Sequence, residues 1–196
     1  MMVKICGITN REDALAAIDA GASAIGFNFY PQSPRYLPPE QAREIAACLP
    51  RPTLRVGVFV DATPQDTAAF VDFLDIIQLH GSEAASEMPL HQKPVWKAFR
   101  IRPGFDMAQI EDYQVDAVLL DGPLPGTGHP FDWSLAKGLK QRLMLAGGLD
   151  ESNVQDAIRA VRPWGVDACS KIESAPGRKD HERMRRFIGA ALSVNL

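Results

Sequence analysis

The feature that most constrains this chain is an alternation. Short runs rich in β-branched and aromatic residues are each followed by a segment with helical caps and spacing, eight times over 196 residues. The strand-like runs are Val3 to Cys6, Ala24 to Phe29, Leu54 to Val60, Asp75 to Leu79, Pro94 to Phe99, Asp116 to Asp121, Leu143 to Ala146 and Gly165 to Cys169. The helical segments are Asn10 to Gly21, Pro39 to Cys48, Thr63 to Phe73, Glu83 to Met88, Phe105 to Tyr113, a short one near Leu135, Glu151 to Val161, and Asp180 to Leu192. Caps mark several of them: Thr9 or Asn10 opens the first, Gly21 stops it, and Thr63-Pro64 opens the third. Strands separated by helices pair in parallel through right-handed crossovers. Eight such units predict an α/β fold, a single (βα)8 barrel of the TIM type spanning residues 1–196 as one domain. A six-stranded open sheet is the alternative, if two weaker units are not strands. The chain is short for a closed barrel, so its loops must be short too.

Composition points to no macromolecular partner. The chain has 21 basic and 24 acidic residues, a net charge of −3, and no block of like charge apart from Arg183-Met184-Arg185-Arg186, which argues against nucleic acid. Cys6, Cys48 and Cys169 are odd in number and far apart, and the histidines are not clustered, which argues against a disulfide framework or a zinc site. No apolar run approaches the ~20 residues that span a bilayer. The sequence passes from Met1-Met2 straight into the first strand, leaving no room for a secretion signal. The expectation is a cytoplasmic protein with reduced thiols, bound to neither nucleic acid nor membrane.

In a barrel of this kind the residues that act lie at the C-terminal ends of the strands and in the loops after them. In strand order these positions hold Cys6, Arg35, Asp61, His80, Arg100, Asp121, Gly147-Gly148 and Ser170-Lys171. The loops after the last two strands are the usual phosphate site, and Ala146-Gly147-Gly148-Leu149 brings bare backbone N–H groups to what reads as a helix start. Glycines there also permit a tight turn. Alternation puts Lys4 and Cys6 on one strand face and Val3 and Ile5 on the other. Alone, the pair reads as a structural Cys behind a snorkelling Lys. On the working rim it reads as a thiol whose free pKa of about 8.5 is lowered by the adjacent ammonium.

Cys6 and Asp121, on strands one and six, face each other across the rim and can divide general base and general acid work. The acid must then be desolvated enough to keep its proton near neutrality. A cap for the loop that follows is the other role open to Asp121. Arg35, in a Pro-flanked loop, suits a carboxylate or phosphate of a substrate, or lies on the surface. His80 either contacts substrate or closes the fourth strand with a hydrogen bond. His91, His129 and His181 show no partner pattern.

These residues carry a resemblance. Lys4-Ile5-Cys6-Gly7-Ile8-Thr9 resembles the N-terminal signature of the phosphoribosylanthranilate isomerases of tryptophan biosynthesis. Gly26-Phe27-Asn28-Phe29-Tyr30-Pro31, Ser33 and Arg35-Tyr36 follow in the family's order, and so do Val58-Phe59-Val60, Gln78-Leu79-His80-Gly81 and Leu119-Leu120-Asp121. Phe131-Asp132-Trp133, Leu145-Ala146-Gly147-Gly148-Leu149 and the stretch from Glu173-Ser174 to Lys179-Asp180 complete the series, so the resemblance covers essentially the whole chain. It implies an Amadori rearrangement of N-(5′-phosphoribosyl)anthranilate to 1-(2-carboxyphenylamino)-1-deoxyribulose 5-phosphate, with no metal or organic cofactor. By the same resemblance, Asp121 protonates the ribose ring oxygen, Cys6 takes the C2′ proton and Arg35 holds the anthranilate carboxylate. Gly147, Gly148 and the strand-eight loop with Ser170 hold the phosphate, and Asp167 meets the ribose hydroxyls.

One stretch departs from the family's pattern. Cys169-Ser170-Lys171 stands where Ser-Ser-Gly is common. If the replaced glycine needs positive φ, a Lys there costs roughly 1–2 kcal/mol. Lys171 is expected instead to add a direct phosphate contact. Cys169 adds a second rim thiol. Two rival readings remain: the related aminoaldose isomerase of histidine biosynthesis, which is expected to carry an acid in place of Cys6 and a second phosphate site, and a non-catalytic barrel binding a phosphorylated ligand. The helix faces favour a monomer, with a homodimer as the alternative.

Overall fold

Two residue sets separate along every strand. Val3, Ile5, Ile25, Phe27, Ile77, Leu79, Leu145 and Val166 join one buried cluster with residues of the surrounding helices. Ala24, Val56, Ile76, Trp96, Ala98, Ala117, Leu119 and Met144, two apart wherever they share a strand, form another. A period of two with both faces buried is the mark of a parallel sheet wrapped by helices and closed on its own interior. The computed structural model describes residues 1–122, 132–136 and 138–194. In it β1 (Met2–Ile5), β2 (Ala24–Asn28), β3 (Leu54–Phe59), β4 (Ile76–Leu79), β5 (Val95–Arg100), β6 (Ala117–Asp121), β7 (Leu143–Leu145) and β8 (Gly165–Ala168) pair in that order, and β8 returns to β1 to close the barrel. All eight are strands, so the open-sheet alternative does not hold.

The helices vary more than the sequence suggests. In α1 (Arg11–Asp19) Asn10 is the cap, its Oδ1 accepting from the Asp13 N–H at 2.8 Å. The second helix, α2 (Pro39–Cys48), has the predicted bounds. The third, α3 (Pro64–Ala68), opens on a capping box between Thr63 and Asp66 but stops well short of Phe73. Three segments expected to be α-helical are short 3₁₀ helices at Ala85–Leu90, Met107–Asp112 and Trp133–Ala136. A 3₁₀ turn rises about 2.0 Å per residue, so it crosses the barrel wall with fewer residues than an α-helix. Pro89, inside the first of these turns, also lacks the N–H that an α-helix would use.

Two further helices complete the wall. Helix α4 (Val154–Val161) begins later than expected, because Asp150 and Asn153 fold the preceding segment into a turn through their own side chains. Asp180 caps α5 (His181–Leu192) through the N–H groups of Glu182 and Arg183. Between β8 and α5 the sequence reading missed a 3₁₀ turn, Ser170–Ile172, and an antiparallel hairpin of β9 (Glu173–Ala175) and β10 (Arg178–Lys179). No described helix is long and apolar enough to cross a membrane. Residues 123–131, which include His129 and Phe131, lie outside the described residues.

Candidate active site

The site starts from a lysine at the floor of the barrel mouth. Lys4 is completely buried and donates to Asp167 Oδ1 at 3.0 Å across the β1–β8 pair. Gly26 on the neighbouring strand makes room: a Cβ there would stand 3.1 Å from Lys4 Cε and 3.0 Å from Cys6 Sγ. Burial opposes the Lys4 charge, but Asp167 and Cys6 outweigh it and raise its pKa above the ordinary lysine range. For Asp167 burial is the larger influence and pushes its pKa up to about 7, against the pull of Lys4. One ammonium therefore serves two acids, the Asp167 carboxyl and the Cys6 thiol.

Cys6 follows β1 and faces Cys169 after β8. The neighbouring Cys169 thiol is the largest influence on Cys6 and holds it well below the ordinary thiol range; burial opposes this, while Lys4 and Lys179 reinforce it. The same pairing, together with burial, keeps Cys169 well above that range. The sequence reading assigned this task to Lys4 alone. Cys169 is the larger contributor because the register carries it opposite Cys6, a relation that no local spacing reveals.

Arg35 turns inward. Its Nε donates to both carboxylate oxygens of Glu173, at 2.9 and 3.1 Å, and its Nη2 donates to Oε2 at 2.7 Å. Lys179 approaches the same carboxylate, with Nζ 2.8 Å from Oε1. Glu173 lies below the ordinary carboxylate range: burial opposes that, but Arg35 and Lys179 prevail. The Nε edge of the guanidinium is thus occupied within the protein, and Nη1 at the far edge makes no hydrogen bond to any described residue. The surface alternative for Arg35 does not hold. Glu173 and Lys179 were not singled out from sequence, although both stand in the motif after the eighth strand.

Asp121 ends β6. Its Oδ1 accepts from the Gly122 N–H at 2.7 Å, and its Oδ2 lies 3.4 Å from His80 Nε2. The His80 backbone, not its ring, completes β4, through its N–H to the Phe59 carbonyl at 2.8 Å. The ring is left to the cavity. Glu83, paired with Lys97 at 3.1 Å, accepts from the N–H groups of Gly81 and Asp61 and so ties down the loops beside His80. Cys6, Arg35, His80, Arg100, Asp121, Asp167 and Cys169 line one cavity of about 340 Å³. Arg100, which received no role from sequence, enters this cavity with Nη2 3.4 Å from the His80 carbonyl. Asp61 does not line it; its carboxylate binds the Ser82 N–H at 2.6 Å.

A smaller cavity, about 50 Å³, adjoins the first. Gly147, Gly148, Ser170 and Lys171 line it together with Asp121, Asp167 and Cys169, which belong to both. Gly147 has φ +79, and a Cβ there would stand 2.3 Å from the Gly122 N, so the close approach of the two loops requires glycine. The helix start expected at the glycine pair is absent: α4 begins at Val154, and the 3₁₀ turn at Ser170 lines the cavity instead. Lys171 is exposed and lies outside the described non-glycine residues with positive φ, so the anticipated strain does not arise.

Known proteins similar to this chain agree with one another. The family model for N-(5'phosphoribosyl)anthranilate (PRA) isomerase matches residues 3–190. An N-(5'-phosphoribosyl)anthranilate isomerase of Solibacter usitatus is 50% identical, with 97% of each chain covered. The crystal structure of phosphoribosyl anthranilate isomerase from Thermus thermophilus superposes with a TM-score of 0.93 at 39% identity, all of both chains being covered. A phosphoribosyl anthranilate isomerase solved with reduced 1-(o-carboxyphenylamino)-1-deoxyribulose 5-phosphate gives a TM-score of 0.87 at 38% identity, over 99% of this chain and all of that one. With a matched model over nearly its full length and a relative at this identity, the chain belongs to the N-(5'-phosphoribosyl)anthranilate isomerase family.

Proposed function

We propose that this chain, as a single barrel and one catalytic domain, isomerises N-(5'-phosphoribosyl)anthranilate to 1-(2-carboxyphenylamino)-1-deoxyribulose 5-phosphate in tryptophan biosynthesis. The observation that carries the reading is the junction of the two cavities. A thiol held low and a carboxyl share the larger one with a fixed guanidinium, and the glycine-lined one opens at that same carboxyl.

Asp121 gives its proton to the ribose ring oxygen, the C1′–O bond breaks, and the anthranilate nitrogen forms a Schiff base at C1′. The Cys6 thiolate then removes the C2′ proton, the electron pair moves to form the enolamine, and tautomerisation yields the C2′ ketone. Arg35 turns its free edge to the anthranilate carboxylate, while Glu173 fixes the other edge and so the direction of the fork. His80 contacts substrate beside Asp121, and Asp167 accepts from ribose hydroxyls. The N–H groups of Gly147, Gly148 and Ser170 and the Lys171 ammonium hold the phosphate. Cys6 in place of an acid favours this substrate over the longer one of the histidine-pathway isomerase.

The reading includes the cytoplasm as location and a monomer as state, the latter because the exposed large hydrophobics among the described residues, Met1, Tyr36, Leu90, Leu135 and Leu192, sit on different elements. Light scattering checks that state. Expression in a tryptophan auxotroph lacking this step tests the function: growth without tryptophan is expected, and no growth despite soluble protein contradicts it. That second outcome is what a non-catalytic binding barrel would give.

A further inference from the structure

We infer that Cys6 and Cys169 form a two-thiol modification site that a hydroperoxide converts into an intrachain disulfide. The register of β1 against β8 runs Lys4 with Asp167 and Ile5 with Ala168, so the next pair is Cys6 with Cys169. The Cys6 N–H donates to the Ala168 carbonyl at 2.9 Å, so the strands are still joined at that point. Neighbouring strands lie about 4.8 Å apart, inside the Cα separation of about 4.4–6.8 Å that a disulfide spans. Both thiols line the larger cavity. A Cβ on Gly7 would stand 2.9 Å from Cys169 Sγ, so the second sulfur lies against the residue next to Cys6.

The surroundings suit the chemistry. Lys179 Nζ is 3.8 Å from Cys169 Sγ, and Lys4 stands below Cys6 on the same strand face. Small peroxides reach the pair through the cavity mouth, since Cys169 is only half-buried. The isomerisation assigns Cys169 no role in proton transfer. Cys48, exposed on α2, provides an internal control.

The Cys6 thiolate attacks one peroxide oxygen, the O–O bond breaks, and Cys6 becomes a sulfenic acid with release of hydroxide. The Cys169 sulfur then attacks the Cys6 sulfur, the S–O bond breaks, and the hydroxyl leaves as water with the Cys169 proton. One thiolate and one thiol are together oxidised by two electrons, and one hydrogen peroxide is reduced to hydroxide and water. Loss of activity on oxidation rests on the reading of Cys6 as general base; formation of the bond does not.

The test treats the full chain with hydrogen peroxide, quenches with catalase, and follows peptide maps and activity together. Expected are a Cys6–Cys169 cross-linked peptide and return of activity with dithiothreitol. In Cys169→Ser, measured against its own starting activity, Cys6 proceeds to the sulfinic acid and dithiothreitol restores nothing. The proposal is overturned if the oxidised natural chain carries Cys6 as sulfinic acid with Cys169 still open to alkylation, or joins Cys6 only to Cys48 of another molecule. A cross-link that leaves activity intact supports the modification site and sinks Cys6 as base. Inactivity of Cys6→Ser with no cross-link in the natural chain does the reverse.

Discussion

Replacing Lys4 with Met removes the one cation that Asp167 and Cys6 share. Lys4 is fully buried, and Asp167 Oδ1 sits 3.0 Å from its Nζ, so the variant leaves a largely buried carboxyl without its cation. Removing one partner of a buried pair costs about 3–5 kcal/mol when the other stays charged. Asp167 can avoid that by holding its proton, which it already does up to about pH 7 with Lys4 present. Its folded pKa is raised above the unfolded carboxyl value. Its contribution to stability is therefore fully present below the unfolded pKa and is lost as pH rises through the folded one.

Without Lys4 that folded pKa climbs further. At about pH 6 both proteins keep Asp167 protonated, whereas at about pH 8 only the variant does, which adds about 1.4 kcal/mol to its deficit. Cys6 acts in the same direction: its lowered pKa stabilises the natural fold above the folded thiol pKa, and the variant loses part of that support. Urea unfolding at the two pH values measures the difference. A deficit that grows by about 1.4 kcal/mol or more toward alkaline pH is expected, together with an alkaline shift in the rising limb of kcat/KM. The same deficit at both pH values refutes the coupling of Lys4 to Asp167.

Three further substitutions probe the walls of the site. Gly147→Ala puts a Cβ 2.3 Å from the Gly122 N at a φ of +79; it should lower stability by about 1–3 kcal/mol in thermal melts. It should also reduce kcat by displacing Asp121, and an unchanged kcat would separate that loop from the chemistry. Glu173→Gln releases Arg35 and Lys179 from their shared carboxylate, so KM should rise more than kcat falls, as expected for lost binding common to ground and transition states; the opposite split contradicts Arg35 as a carboxylate clamp. Lys171→Gly should raise KM about fivefold through one lost surface charge beside the phosphate, and an unchanged KM removes Lys171 from the site.

The barrel was legible because strand runs, caps and breakers are local. Cys6, Arg35, His80 and Asp121 were legible because the end of a parallel strand in a closed barrel has one destination. What stayed hidden depends on contacts made across the chain. Glu173 meets Arg35 and Lys179 together only because a hairpin of β9 and β10 sets Lys179 opposite Glu173. Cys169 reaches Cys6 through register. The over-read helices between β4 and β7 failed for a different reason: helical spacing over six residues or so looks the same whether the turn is α or 3₁₀. The supposed helix start at Gly147-Gly148 failed because the side chains of Asp150 and Asn153 compete with the backbone for its hydrogen bonds.

The division of labour between thiol and carboxyl is the claim on which the proposed chemistry turns. Steady-state turnover of N-(5'-phosphoribosyl)anthranilate, generated in the assay, measures it directly in the natural chain and in Cys6→Ala. The natural chain should turn over, and the variant should lose about a thousandfold or more in kcat while still binding the reduced product analogue, in line with loss of a general base. A Cys6→Ala protein that keeps its kcat, or a natural chain that binds the analogue and does not turn over, contradicts it.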